Sequence, residues 1–181
     1  ARAVPDNRFA ILVTDAEQVF DGRAQYAYHA AYYHLTRLGY PPVLIDEDTV
    51  AASGIPPAVK ALFVVRETHP LEPKVASAID AFAKRGGKIV ATADSLIKPA
   101  GCLTVEAKVK HIWMLSGFEW KAHAEMWEEF ETNWRAPLSK TLADLAIPAF
   151  ATTDTDRGLA LGMDAGAVRY VIVIADKKDT H

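Results

Sequence analysis

Cysteine is the scarcest resource in this chain. Cys102 is the single one among 181 residues, so no internal disulfide and no cysteine-based metal cluster can form. That leaves the compartment open, because a protein can be secreted without disulfides. Charge of one sign is scarce as well. A formal net charge of −3 supplies no basic footprint for nucleic acid or for an anionic membrane surface. No apolar run approaches the roughly 18 residues that a membrane-spanning helix needs, and membrane insertion is not expected. No G-x-G-x-x-G opens a helix and no phosphate-binding P-loop is present, so no cofactor is expected. His111 and His123, with Glu119 and Glu125 nearby, lack the His-Glu-x-x-His spacing of a zinc site. His123 and Trp127 are four apart and read as packing partners. No metal is expected.

What is present is an α/β pattern, clearest between Lys60 and Ser95. Ala61–Val65 (ALFVV) is a short apolar run of the kind that forms a strand buried on both faces. After the polar turn Arg66-Glu67-Thr68-His69-Pro70, the residues Val75, Ala76, Ile79, Phe82 and Ala83 fall on one helical stripe. Gly86-Gly87 ends that helix, since glycine takes the left-handed C′ conformation cheaply. Lys88–Ala93 (KIVATA) is the next buried strand. Strand, helix and strand in this order form a right-handed βαβ unit.

Upstream, Phe9–Thr14 (FAILVT) reads as a first strand, and Asp21 as the N-cap of a long helix. Its core stripe is Ala24, Ala27, Ala31, Leu35 and Leu38. The helix is also rich in rings, and Tyr28, Tyr32 and Tyr33 are expected off that stripe, on a rim or an interface. Gly39 ends the helix, and Pro42–Asp46 is the second strand, with Asp46-Glu47-Asp48 at its carboxyl end. Downstream of Ser95, Ile97–Val109 reads as a loop with room for a short strand, and Ile112–Leu115 as a fifth strand. Phe118–Trp134 reads as a helix with Trp120, Trp127 and Trp134 on one face, and Leu138–Ala146 as a second, shorter one. The tail changes class, with β runs at Ala149–Thr153, Leu159–Met163 and Arg169–Ala175 separated by polar turns. Tyr170–Ile174 (YVIVI) is apolar on both faces and is expected to be buried on both.

The phrase Val59–Thr92, VKALFVVRETHPLEPKVASAIDAFAKRGGKIVAT, within a strand–helix–strand order running from about residue 8 to residue 96, resembles a known superfamily. It is similar to the class I glutamine amidotransferase-like proteins, and most of all to the non-catalytic trimerisation domain of family 42-type β-galactosidases. The resemblance implies a flavodoxin-like, three-layer α/β fold over residues 8–147, a parallel sheet with helices on both faces. Residues 148–181 then form a C-terminal antiparallel β tail, as a meander or as the start of a following β-sandwich. Catalytic members of the superfamily carry a cysteine on the turn after the central strand. Here that turn is Arg66-Glu67, and Cys102 lies beyond the fourth strand with no activating neighbour, so it reads as an inert thiol.

The expected function is therefore a non-catalytic structural or oligomerisation domain of a larger, carbohydrate-active bacterial protein. The chain begins Ala-Arg-Ala-Val and ends shortly after an apolar strand, which fits a segment of a longer polypeptide. Its expected partners are copies of itself or other domains of the parent chain. The alternative is a small hydrolase or ligand-binding domain at the carboxyl edge of the sheet, where doubly wound folds bind ligands. There Asp15 and Glu67 would form a carboxylate pair with His69 as acid or base. Thr14, Arg66, Asp94 and Ser95 would line the ligand.

Overall fold

The computed structural model describes residues 4–20, 24–107, 128, 130–152, 158–165 and 167–175. Its centre is a parallel sheet of five strands, β2 (Phe9–Val13), β3 (Val43–Asp46), β4 (Ala61–Val64), β5 (Lys88–Thr92) and β6 (Leu103–Val105). They lie in the order β3-β2-β4-β5-β6, and every neighbouring pair is parallel.

The apolar runs form strands because both faces of the sheet are covered. Phe9, Ile11, Phe63, Val65 and Val90 point to one side, against Ala27, Tyr28, Ala31 and Leu35 of helix α2 (Ala24–Arg37). Trp134, Leu138, Leu142 and Leu145 complete that layer from a π-helical turn at Phe130–Trp134 and the helix α5 (Arg135–Leu145). The intervening residues Ala10, Leu12, Leu62, Val64, Ile89 and Ala91 point to the other side. There they meet Val50 of α3 (Glu47–Ser53) and Val75, Ile79 and Phe82 of α4 (Pro73–Lys84). Alternation at period two splits one continuous apolar strand between two cores.

Several local details differ from the sequence expectation. A six-residue helix, α1 (Asp15–Phe20), follows β2 directly and precedes α2. Asp21, the expected cap, lies outside the described residues, as do Ile112–Leu115, Trp120, Trp127, His111 and His123. The strand beside β5 is Leu103–Val105, inside the segment read as a loop with room for one. Tyr28 is 3% exposed and belongs to the core, because it sits one residue beyond Ala27 on the same face. The Asp46 side chain is engaged at the start of α3. Its two oxygens accept from the Thr49 backbone and hydroxyl, capping α3.

The tail builds a second sheet with β1 (Val4–Pro5), β7 (Gly158–Ala165) and β8 (Val168–Ala175), ordered β1-β7-β8 with antiparallel pairing throughout. Residues 149–152 are not a strand. Instead the Phe150 amide donates to the Gly39 carbonyl and closes the end of α2. The expected burial of Tyr170–Ile174 on both faces is not found within the chain. Tyr170 is 51% exposed, Val171 46%, Ile172 46% and Val173 59%. The reason is positional: β8 is the outer strand of a thin sheet, and nothing among the described residues closes over it.

His34 of α2 is fully buried, with its ring 5.0 Å from that of Trp134. Burial, reinforced by the Arg37 charge, pushes its pKa down to about 3. A folded-state pKa below the unfolded one means stability is lost as pH falls below the ordinary histidine range.

Two glycines separate backbone strain from steric exclusion. Gly86 has φ +90° and open space where a Cβ would stand, whereas Gly39 has φ +83° and would place a Cβ 2.0 Å from the Ala151 carbonyl oxygen. Gly86→Ala is expected to cost about 1 kcal/mol, the left-handed penalty alone. Gly39→Ala must also displace the 149–151 segment and is expected to cost at least about twice as much. Urea unfolding of the two variants checks the difference, and equal losses would show that the 149–151 segment is not held against α2.

Candidate functional site

Strand order fixes where a site can form. The chain leaves β2 for β3 on one side and then crosses to β4 on the other, so the connections after β2 and β4 diverge at their carboxyl ends. Thr14, Asp15 and Glu17 come from the first connection, Arg66–His69 from the second, and Asp94 and Ser95 from the end of β5.

The turn after β4 is tightly tied. Arg66 has φ +51°, a left-handed conformation that few non-glycine residues adopt. Its amide donates to Thr92 Oγ1 at 2.8 Å, and its guanidinium lies 3.4 Å from Asp94 Oδ2. The Glu67 amide donates to Ser95 Oγ at 3.0 Å, while that hydroxyl donates to the Val64 carbonyl at 3.1 Å. The Leu96 and Ile97 amides both donate to the Glu67 carbonyl. Ser95 and Thr92 thus hold loop backbone and are not presented to solvent.

Glu17 occupies the middle of the cluster and is 0% exposed. Its Oε1 accepts from the Thr68 amide, from Thr68 Oγ1 at 2.6 Å, from the His69 amide at 2.8 Å and from His69 Nδ1 at 2.7 Å. Contact with a carboxylate oxygen assigns the proton to Nδ1 of His69. Burial alone would raise the Glu17 pKa, but the hydrogen bonds from Thr68 and His69 outweigh it and hold the carboxyl below the usual range.

Glu67 is 2% exposed, and its Oε2 accepts from Thr14 Oγ1 at 2.9 Å. Burial pushes its pKa up, the Thr14 bond opposes this, and the Glu17 charge adds to the rise, leaving it at about 7. Behind Thr14, the Tyr28 hydroxyl lies 3.4 Å from the Thr14 amide, and burial pushes that phenol up.

Of the seven residues singled out from the sequence, Thr14, Glu67 and His69 gather around Glu17, and Arg66, Asp94 and Ser95 brace the adjoining turn. Asp15 does not join them. It is exposed at the start of α1, where its amide donates to Glu47 Oε1 at 2.6 Å. The carboxylate beside Glu67 is Glu17, two residues on. No motif marks it, because α1 is too short for a readable period. Only its position in the second half-turn after a strand end points to the crevice. Cys102 is partly buried against the α4 core, away from the cluster. Among the described residues no group of three potential ligands could hold a metal ion, and no helix is long and apolar enough to cross a membrane.

Chemically, this is one ionised carboxylate, one carboxyl that stays protonated to near neutrality, and one histidine whose side chain is 36% exposed. The two carboxyls are thus pushed in opposite directions by their surroundings. Yet of these three groups only His69 reaches solvent to any extent.

A folded-state pKa raised above the unfolded one gives a definite sign. From about pH 4.5 to about pH 7 the unfolded chain releases the Glu67 proton while the folded chain keeps it, so this group's contribution to stability falls. The loss amounts to about 3 kcal/mol. Glu67→Gln keeps the Thr14 contact without an ionisable proton. It is expected to unfold several degrees above the parent near pH 8 and to lose that advantage near pH 4.5. Thermal unfolding at both values checks this, and a variant less stable at both would contradict it.

No protein-family model matches the chain, and no curated protein matches it either. Among solved structures, it is similar to the apo exo-carrageenase GH42 from Bacteroides ovatus, with a TM-score of 0.50 and 12% sequence identity. The match covers 94% of this chain and 28% of that one, so the chain spans under a third of the length of the protein it resembles. At that identity the likeness to part of that chain is one of fold alone.

Proposed function

We propose that this chain is a non-catalytic structural domain that serves association, carried by a larger, carbohydrate-active protein. Residues 8–147 form its flavodoxin-like, glutamine amidotransferase-like unit, and residues 148–181 its β tail. The observation that carries the reading is the turn after β4. Arg66, paired with Asp94, stands where the superfamily resemblance puts a nucleophile, and Glu67, Thr14 and Ser95 are engaged in holding that turn. The GH42 likeness supports a carbohydrate-active parent, and the exposed apolar β8 supports a partner surface.

A second reading has one observation in its favour. Glu67 combines deep burial with a pKa at about 7, and His69 is oriented by Glu17, an arrangement that suits a hydrolase or ligand-binding domain. Accessibility weighs against it, since Glu67 is 2% exposed and Asp15, the other expected acid, is exposed and away from it.

The two readings separate in a direct assay. Incubation with glutamine, nitrophenyl esters and nitrophenyl glycosides is expected to give no turnover above buffer, and light scattering at micromolar concentration an assembly larger than one chain. Turnover abolished by His69→Ala would establish the second reading. A monomer at every concentration tested would remove the association claim.

A further inference from the structure

Glu17 presents a problem of valence. One oxygen takes four donors, while Oε2, buried in a side chain with no exposed surface, has no hydrogen-bond partner. An ionised carboxylate oxygen buried without a donor is costly, by several kcal/mol when nothing compensates it. Among the described residues the group placed to supply a donor is Glu67, whose side chain lies within hydrogen-bonding reach of Glu17 and is itself buried, with Oε2 anchored by the Thr14 hydroxyl. A carboxylate cannot donate, but a carboxylic acid can.

We propose that Glu17 and Glu67 share one proton, with the Glu67 carboxylic acid donating to Glu17 Oε2, and that loss of this proton loosens the Arg66–His69 turn from α1. The step is a simple ionisation: the O–H bond of Glu67 breaks, the proton passes to water, and two buried carboxylates are left facing each other. Arg66 is held at Asp94, and Asp15 is exposed beside Glu47. Tyr28 from α2 faces the pair through Thr14 and is a neutral phenol with a pKa pushed up by burial. His69 bonds the opposite oxygen of Glu17, so it stabilises Glu17 as the ionised member and leaves Glu67 as the acid. The direction in which each carboxyl is shifted agrees with that assignment.

The consequence is mechanical. The Thr68 and His69 amides are fixed by Glu17, so any retreat of Glu17 from an ionised Glu67 frees both. Below neutrality the turn is latched to α1, and above it the latch opens. This holds whether the edge binds a ligand or not, and so does not depend on the structural reading of the domain.

The test uses the whole chain with its glutamate carboxyl carbons labelled for NMR. The Glu67 carbon is expected to titrate at least about 2 units above an ordinary glutamate, and the Glu17 carbon to titrate below one. Amide hydrogen exchange, corrected for its intrinsic pH dependence, is expected to show protection at Thr68 and His69 falling about tenfold or more from around pH 5.5 to around pH 8.5. In Glu67→Gln, whose amide can donate to Glu17 Oε2 at any pH, that fall is expected to shrink to less than about twofold. A Glu67 carbon titrating with ordinary glutamates overturns the shared proton, and it does so in the parent chain alone should the variant not fold. Unchanged protection across the range, or an equal fall in the variant, overturns the latch.

Discussion

One oxygen atom, Glu17 Oε1, organises the carboxyl edge of this sheet. After β4 the chain does not enter a helix until Pro73, so the amides of residues 68 and 69 have no helical partners. Buried or half-buried, such groups must be paired, and a carboxylate accepts more strongly than a neutral carbonyl. Glu17 supplies that acceptor from the opposite side of the crevice and thereby ties α1 to the loop after β4. A parallel sheet needs long connections, and here two of them are joined by a side chain instead of by helix packing.

That solution explains the surrounding residues. A fully buried carboxylate would be expensive alone, so Thr68, His69 and the protonated Glu67 gather around it. Glu67 in turn is fixed by Thr14, and the turn that presents it is fixed by Thr92 and Ser95. Polar residues that resemble a reaction centre are here largely engaged with one another. A pKa perturbation of this kind accompanies structural networks as well as active sites, and solvent access separates the two. His34 teaches the same point elsewhere, since a buried, neutral histidine packed against Trp134 is a packing element.

The sheet was legible because its strands are covered on both faces. Phe9–Val13, Val43–Asp46, Ala61–Val64 and Lys88–Thr92 all fall within a residue of the apolar runs that announce them. The helices α2 and α4 were legible through Ala27, Ala31 and Leu35, and through Val75, Ile79 and Phe82, which keep helical spacing. At the edges the signal weakens. Leu103–Val105 has three residues and one covered face, so nothing in its composition sets it apart from a loop. The site was half legible: strand ends name Thr14, Arg66, Glu67, Asp94 and Ser95 directly. Glu17 was hidden because six residues of helix carry no period, and Asp15 was favoured merely by adjacency to the strand. The exposure of Ile172 and Val173 was not legible either, because an apolar strand implies a cover without saying which chain provides it.

Glu17 holds the edge together, and the most direct test is the unfolding free energy of Glu17→Ala in urea, near pH 6, against the parent chain. Removing the acceptor of four donors and one partner of a buried pair predicts a loss of at least about 3 kcal/mol. A loss below about 1 kcal/mol would contradict it, because the Thr68 and His69 groups would then be satisfied without Glu17.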